Sequence, residues 1–136
     1  MYRRLDDKVL VAGQIRPEDV ADLASAGITT IVNNRPDGEE PGQPESGSIA
    51  AAARAANVDY RHVPVAGGLS PAQVAATATA IDEASGQVLL FCRSGTRSTY
   101  VWAFVRAGQG AAAETLSAQA AAAGYDLSPL LSHLRK

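Results

Sequence analysis

One cysteine carries most of the chemistry this sequence can do. Cys92 is the single cysteine of the chain and heads the segment Cys92-Arg93-Ser94-Gly95-Thr96-Arg97-Ser98. It follows the apolar run Val88-Leu89-Leu90-Phe91 and precedes a stretch, from about Arg97 to Ala107, that reads as a helix. A strand that ends on a cysteine and turns into a helix sets the thiol beside backbone N–H groups and the positive end of the helix. In open α/β sheets this carboxyl edge is where ligands bind. Successive N–H groups of such a turn form a nest for an anion, and Gly95 supplies backbone angles other residues resist. Arg97 is placed to close on the anion with a two-pronged guanidinium, Arg93 adds charge, and Ser94 and Thr96 complete the loop. Helix N-termini and cations lower a cysteine pKa from about 8.5 to about 3.5–7.5, so the same features favour a thiolate. Ser98 is placed to donate a hydrogen bond to it. A nucleophilic sulfur facing an anion pocket supports two reactions: attack on phosphorus in a phosphate ester, or acceptance of a sulfur atom as a persulfide. A lone cysteine at a strand end is often only a core residue. The strand, cysteine, glycine turn, Arg-Ser and helix occurring together argue for catalysis or anion binding.

The elements that must hold this loop alternate along the chain. Lys8 to Gly13 reads as a strand, and Pro17 opens a helix over Glu18 to Ala26 with acidic residues in its first turn. Ile28 to Asn33 is a β-branched strand, and Arg35 to Ser48, with three prolines, is a loop. A helix follows over Ile49 to Ala56 and a strand over Tyr60 to Val65. Ser70-Pro71-Ala72-Gln73 has the form of a capping box, so a helix runs from there to about Ala84. Val88 to Phe91 suits a strand buried on both faces. Helices over about Arg97–Ala107 and Ala111–Ala123 follow, and Ser128-Pro129 starts a last short one. The pattern predicts an α/β fold: a parallel central sheet with helices on both faces, in one catalytic domain over residues 1–136.

The bulk composition narrows the partners. Of 136 residues, 46% are hydrophobic and 19% charged, a globular balance. A net charge of −2 gives no basic surplus for a nucleic acid backbone. No apolar run approaches a membrane span, and the first residues lack the apolar core of a signal peptide, so a cytoplasmic location is the default expectation. One cysteine excludes an internal disulfide and leaves no second thiol to resolve a loaded Cys92. His62 and His133 show no metal-ligand spacing. The sequence asks for no cofactor or metal. Its expected partner is a small anionic substrate: thiosulfate, glutathione persulfide or a phosphate ester.

The loop from Arg35 to Ser48 is long for a compact domain, which favours a functional role. Arg35 is a candidate second anion contact or the member of a surface ion pair. Asp37, Glu39 and Glu40 are candidate proton donors; each read alone is more simply a solvated loop residue. His62, Asp126, Tyr100 and Trp102 read as packing, capping or turn residues.

Cys92 to Ser98 resembles the active-site loop of rhodanese-type sulfurtransferases. It also resembles the loop of cysteine-dependent phosphatases, one residue shorter, with Arg97 where those enzymes place their arginine one position later. Ala12-Gly13-Gln14, Asn34-Arg35-Pro36-Asp37-Gly38-Glu39, Pro64-Val65, Phe91 to Ser98 and Ala123-Gly124-Tyr125-Asp126-Leu127 together resemble a bacterial family over nearly the whole chain. It is the family of phosphatase-like domains of the beta-lactamase hydrolase-like proteins. The resemblance implies a fold like that of dual-specificity and tyrosine phosphatases. Fusion of such domains to a persulfide dioxygenase-like module implies a role in sulfide metabolism, with such a dioxygenase as a possible partner. The chain departs from phosphatases in two ways. Phe91 stands where tyrosine phosphatases have histidine, and Ala66-Gly67-Gly68-Leu69 holds no acid where an aspartate donor is usual. Loss of a general acid removes about 10²–10⁴-fold for poor leaving groups, whereas sulfur transfer expels a stable anion. On these grounds the sequence ranks persulfide transfer through Cys92 first and phosphate ester hydrolysis second. A silent anion- or partner-binding module comes third.

Overall fold

The alternation of elements closes into one five-stranded sheet in the computed structural model, which describes residues 1–135. The strands are β1 (Tyr2–Arg4), β2 (Val9–Ala12), β3 (Ile28–Asn33), β4 (Asp59–His62) and β5 (Gln87–Phe91), in the spatial order β1-β2-β5-β3-β4. The helices are α1 (Val20–Ser25), α2 (Ser46–Ala55), α3 (Pro71–Glu83), α4 (Thr96–Gly108), α5 (Ala113–Ala122) and α6 (Leu131–Leu134). β5 lies at the centre, parallel to both neighbours, with Leu89 opposite Leu10 on β2 and Ile31 on β3.

Period-two alternation sorts the strand residues onto two faces. Val9, Val11, Val32, Val88 and Leu90 pack with Ala80 and Ile81 of α3, Val101, Trp102 and Val105 of α4, and Leu116 of α5. Leu10, Ala12, Ile31, Leu89 and Phe91 pack with Val20 and Leu23 of α1 and Ile49 and Ala53 of α2. β5 is therefore buried on both faces, as its unbroken apolar run requires. Truncating Leu89 or Leu90 to alanine would cost about 2–5 kcal/mol.

The sheet differs from the expected all-parallel one by an added edge. Tyr2 to Arg4 pairs antiparallel with β2, Arg3 opposite Val11. Its three residues are polar or exposed and carry no apolar alternation to announce a strand. The turn into β2 is built by a side chain: Asp6 Oδ1 accepts from the N–H groups of Lys8 at 2.9 Å and Val9 at 2.8 Å. Other boundaries move by small amounts. Residues 17–19 form a 3-10 turn before a shortened α1, α2 begins three residues earlier at Ser46, and β4 stops at His62. Ser70 caps α3 as its sequence demands, accepting from Gln73 N at 3.3 Å while Gln73 Oε1 accepts from Ser70 N at 2.8 Å.

Candidate active site

The carboxyl ends of β2, β3 and β5 meet at one edge, and the residues that follow them build the site. Cys92 leaves β5 with its N–H on Ala12 O at 3.4 Å, and only 1% of its surface is exposed. Its sulfur accepts the Gly95 N–H at 3.1 Å, so the loop curls back over the thiol. Gly95 has φ +93° and caps α4, a left-handed conformation that disfavours any Cβ.

The carbonyls of the loop are bonded away from the thiol. Arg93 O accepts from Gln14 N at 3.2 Å and Ser94 O from the Tyr125 hydroxyl at 3.0 Å. Gly95 O takes both the N–H and the hydroxyl of Thr99, at 2.9 and 2.8 Å. A Cβ on Gly13 would lie 3.0 Å from Arg93 O, so the close approach of β2's end to the loop favours glycine there. The first N–H groups of α4 have no intrahelical acceptor and supply positive potential at this edge. Thr96 Oγ1 accepts from the Ser94 hydroxyl at 3.2 Å.

Arg97 reaches from α4 across the site. Its Nη1 and Nη2 grip Glu39 Oε2 and Oε1 at 2.7 and 2.8 Å, and Nη1 also donates to Val65 O at 2.8 Å. Hydrogen bonding to Glu39 raises the Arg97 pKa, and Cys92 beside it adds to the effect. Arg35 is 1% exposed and is the second grip on Glu39. Its Nε lies 2.8 Å from Glu39 Oε1, its Nη2 2.9 Å from Glu40 Oε1, and its Nη1 3.0 Å from Gln14 Oε1. Burial works against the Arg35 charge, but its bonds to Glu39 and Glu40 prevail and hold its pKa up. Arg35 is thus a buried cation whose ion-pair partners are two carboxylates of its own loop, Glu39 and Glu40. The hydrogen bonds from Arg97, then Arg35, draw the Glu39 pKa down to about 2 against the penalty of burial. Arg35, Glu39, Glu40, Arg93 and Arg97 line a cavity of about 290 Å³. Arg97 also borders an apolar cavity of about 220 Å³ with Val65, Leu69, Tyr100, Phe104 and Leu130.

Two expected roles change. Ser98 is fully buried, and its hydroxyl donates to Asn34 Oδ1 at 2.8 Å instead of to the thiol. The side chain leaves the first turn of α4 toward the end of β3, where a buried acceptor needs it. Asp37 does not reach the site: its Oδ1 accepts the Ser46 N–H at 2.8 Å at the start of α2. Glu39 and Glu40 do reach it, Glu40 lying 3.8 Å from Arg93. His62 bonds Arg35 O at 2.8 Å through Nε2, and Asp126 accepts from Ser128, both in the structural roles expected of them.

Three supports had no role assigned from the sequence. Asn34 accepts from Ser98, donates to Val63 O at 3.1 Å and gives its N–H to Phe91 O at 2.8 Å, locking β3's end to the strand that carries Cys92. Gln14 ties Arg35 to the loop, and Tyr125 lies under Gly95. Burial raises the Tyr125 pKa, and Cys92 nearby raises it further. In the sequence they stood out only as members of the motifs that carry the family resemblance, Gln14 and Asn34 just past strands and Tyr125 just past a helix.

This arrangement is a thiol at a helix N-terminus, a guanidinium able to hold an oxyanion, and a second buried guanidinium behind it. It can bind a small dianion and attack it with sulfur. Residues 1–113 match the family described as "Beta-lactamase hydrolase-like protein, phosphatase-like domain". A beta-lactamase hydrolase-like protein of Xylella fastidiosa is 34% identical over 134 residues, covering 97% of this chain and 31% of its own length. The chain therefore spans about a third of that relative. A crystal structure of a provisionally named phosphatase from Neisseria meningitidis superposes with a TM-score of 0.85 at 33% identity, covering 97% of this chain and 94% of that one. P. aeruginosa TpbA, solved as a cysteine-to-serine variant with pTyr, shares the fold at 19% identity. Its TM-score is 0.64, over 87% of this chain and 70% of that one.

Proposed function

We propose, for a chain that belongs to the phosphatase-like domain family of the beta-lactamase hydrolase-like proteins, the cysteine-dependent hydrolysis of phosphate monoesters. The observation that carries this reading is the Cys92 sulfur under the Gly95 N–H at 3.1 Å, with Arg97 alongside, at the carboxyl edge of a phosphatase-type sheet. Arg93 to Arg97 form the anion-binding loop, and Arg35 is the second anion contact. The dianionic phosphoryl group takes the Arg97 fork. The Cys92 thiolate attacks phosphorus, the Sγ–P bond forms, and the P–O bond to the leaving group breaks. Water then cleaves the phosphocysteine, releasing inorganic phosphate and the thiolate. The substrate class is a small phosphate ester; TpbA was solved with phosphotyrosine, which supports an aryl ester as the first probe.

The test is turnover of 4-nitrophenyl phosphate with acid-quench trapping of the intermediate. A phosphoryl group recovered on Cys92 is the expected result. Hydrolysis undiminished in Cys92→Ser removes the cysteine from the mechanism.

One observation favours the sulfur reading that the sequence ranked first. Arg97 stands five positions after Cys92, so the loop is one residue shorter than a phosphatase loop and makes a tighter cradle. In that reading Cys92 attacks the outer sulfur of thiosulfate, the S–S bond breaks and sulfite departs without a proton. Glutathione persulfide is the other donor of this class, and a persulfide dioxygenase is a partner that would consume the product.

A further inference from the structure

The anion pocket already holds an anion: the carboxylate of Glu39. Glu39 takes both Arg97 nitrogens, at 2.7 and 2.8 Å, and the Arg35 Nε at 2.8 Å. A fork on Arg97 is the geometry a phosphoryl or sulfonate group would use. Arg97 cannot offer the same fork to both, so a substrate must displace the carboxylate. Charge gives the same answer. The cavity gathers three guanidinium groups, Arg35, Arg93 and Arg97, against two carboxylates, Glu39 and Glu40. Three cations and two anions leave one positive charge. A dianion entering turns this into one excess negative charge, and a carboxylate stripped of Arg97 is the group that relieves it by taking a proton.

We propose that Glu39 is a proton donor held in reserve: it occupies the anion's place on Arg97, is displaced by a dianionic substrate, and protonates the leaving group. The donor half of this rests on the phosphatase reading; the displacement half needs only anion binding. No other described carboxylate contacts Arg97. Asp37 is committed to α2, Glu40 holds Arg35, and the Ala66-Gly67-Gly68-Leu69 loop has none. The depressed Glu39 pKa, about 2, fits the resting state, in which Arg97 and, after it, Arg35 hold the group ionised. The charged groups that share its cavity are Arg35 and Glu40 from its own loop, Arg97 from α4 and Arg93 from the loop after β5, with the Cys92 thiol beside Arg97.

The step balances. As Sγ–P forms and P–O breaks, the electron pair goes to the ester oxygen, which takes the Glu39 proton. The Glu39 carboxylate then accepts a proton from the water that attacks phosphocysteine, leaving neutral Glu39, hydrogen phosphate and the Cys92 thiolate.

Sulfate is the probe for displacement, because it stays a dianion at mildly acidic pH. Calorimetric titration in buffers of different ionisation enthalpy counts protons taken up on binding. Wild type should take up more protons per sulfate than Glu39→Gln, approaching one. Glu39→Gln, freed of the competing charge, should bind sulfate roughly tenfold more tightly. Its kcat should fall about 10²–10⁴-fold on an alkyl phosphate and little on 4-nitrophenyl phosphate. A merely structural Glu39 would weaken sulfate binding on substitution and slow both esters alike, and either result overturns the proposal. Should Glu39→Gln not fold, protons are counted on Cys92→Ser, where no thiolate competes, and no uptake overturns the proposal. A wild type that hydrolyses neither ester defeats the phosphatase reading and with it the donor half. The sulfate arm still decides whether Glu39 holds the anion's place.

Discussion

The Tyr125 hydroxyl occupies the space a Cβ on Gly95 would need, while donating to Ser94 O at 3.0 Å. One side chain thus holds the loop after Cys92 by a hydrogen bond and by contact. Gly95 also has φ +93°, so a side chain there meets both a steric and a conformational penalty. Strain of this kind is worth about 1–3 kcal/mol. Gly95→Ala should lower stability by about that amount in urea and should abolish turnover, since the Gly95 N–H can no longer reach Cys92. Full activity in this variant would show that the loop geometry is not needed.

Ser98 tests whether its hydroxyl serves the sulfur or the scaffold. It is fully buried and bonded to Asn34 Oδ1 at 2.8 Å. Ser98→Ala leaves that buried acceptor without its donor, at about 1–3 kcal/mol. Urea melts should show this loss, while kcat on an aryl phosphate falls less than tenfold. A large loss of kcat with unchanged stability would return Ser98 to direct contact with the thiolate.

The first turn and α4 are coupled through one carboxylate, which makes stability depend on acid. Asp6 Oδ2 accepts from Trp102 Nε1 at 2.7 Å and Arg106 Nε at 2.9 Å. Burial acts to raise the Asp6 pKa, but these bonds and those from Lys8 and Val9 outweigh it and lower the pKa below 3.8. A carboxyl with a depressed folded pKa adds stability above its unfolded pKa and loses it as pH falls through the folded value. Wild type should therefore lose stability below about pH 4. Asp6→Asn should be less stable at neutral pH by about 1–3 kcal/mol, with a flatter acid limb. Superimposable pH profiles for the two proteins would rule this coupling out.

Residues with strong local signals were legible in the sequence, and those defined by distant partners were not. Val88 to Cys92 showed its place because an apolar run ending in a cysteine and a glycine turn has few other folds. Ser70 and Gln73 showed theirs because the capping box is a contact between near neighbours. Tyr2 to Arg4 could not be read, since its pairing with β2 depends on the Asp6 turn and on no apolar pattern. Ser98 and Asn34 are 64 positions apart, and only the closed sheet brings them together. Glu39 was one of four acids in the loop from Arg35 to Ser48. Nothing local separates it from Asp37, which turns to α2, or from Glu40, which turns to Arg35.

The choice between phosphorus and sulfur turns on the leaving group. A 4-nitrophenolate leaves without a proton, and so does sulfite from thiosulfate, so the two probes bypass Glu39 and compare the cradle itself. If Cys92 serves a phosphatase, 4-nitrophenyl phosphate should be hydrolysed with a kcat/KM well above that for sulfur transfer from thiosulfate to cyanide. Intact mass after thiosulfate treatment should then show Cys92 unmodified. If the short loop instead favours sulfur, the mass should rise by one sulfur atom, reversibly with dithiothreitol, and aryl phosphate should be turned over slowly. Cys92→Ser should lose both reactions, because a serine hydroxyl without a base is a poor nucleophile, and it should keep its fold because the substitution changes a single atom. A reducible sulfur adduct together with negligible phosphate ester turnover would reverse the order of the two readings.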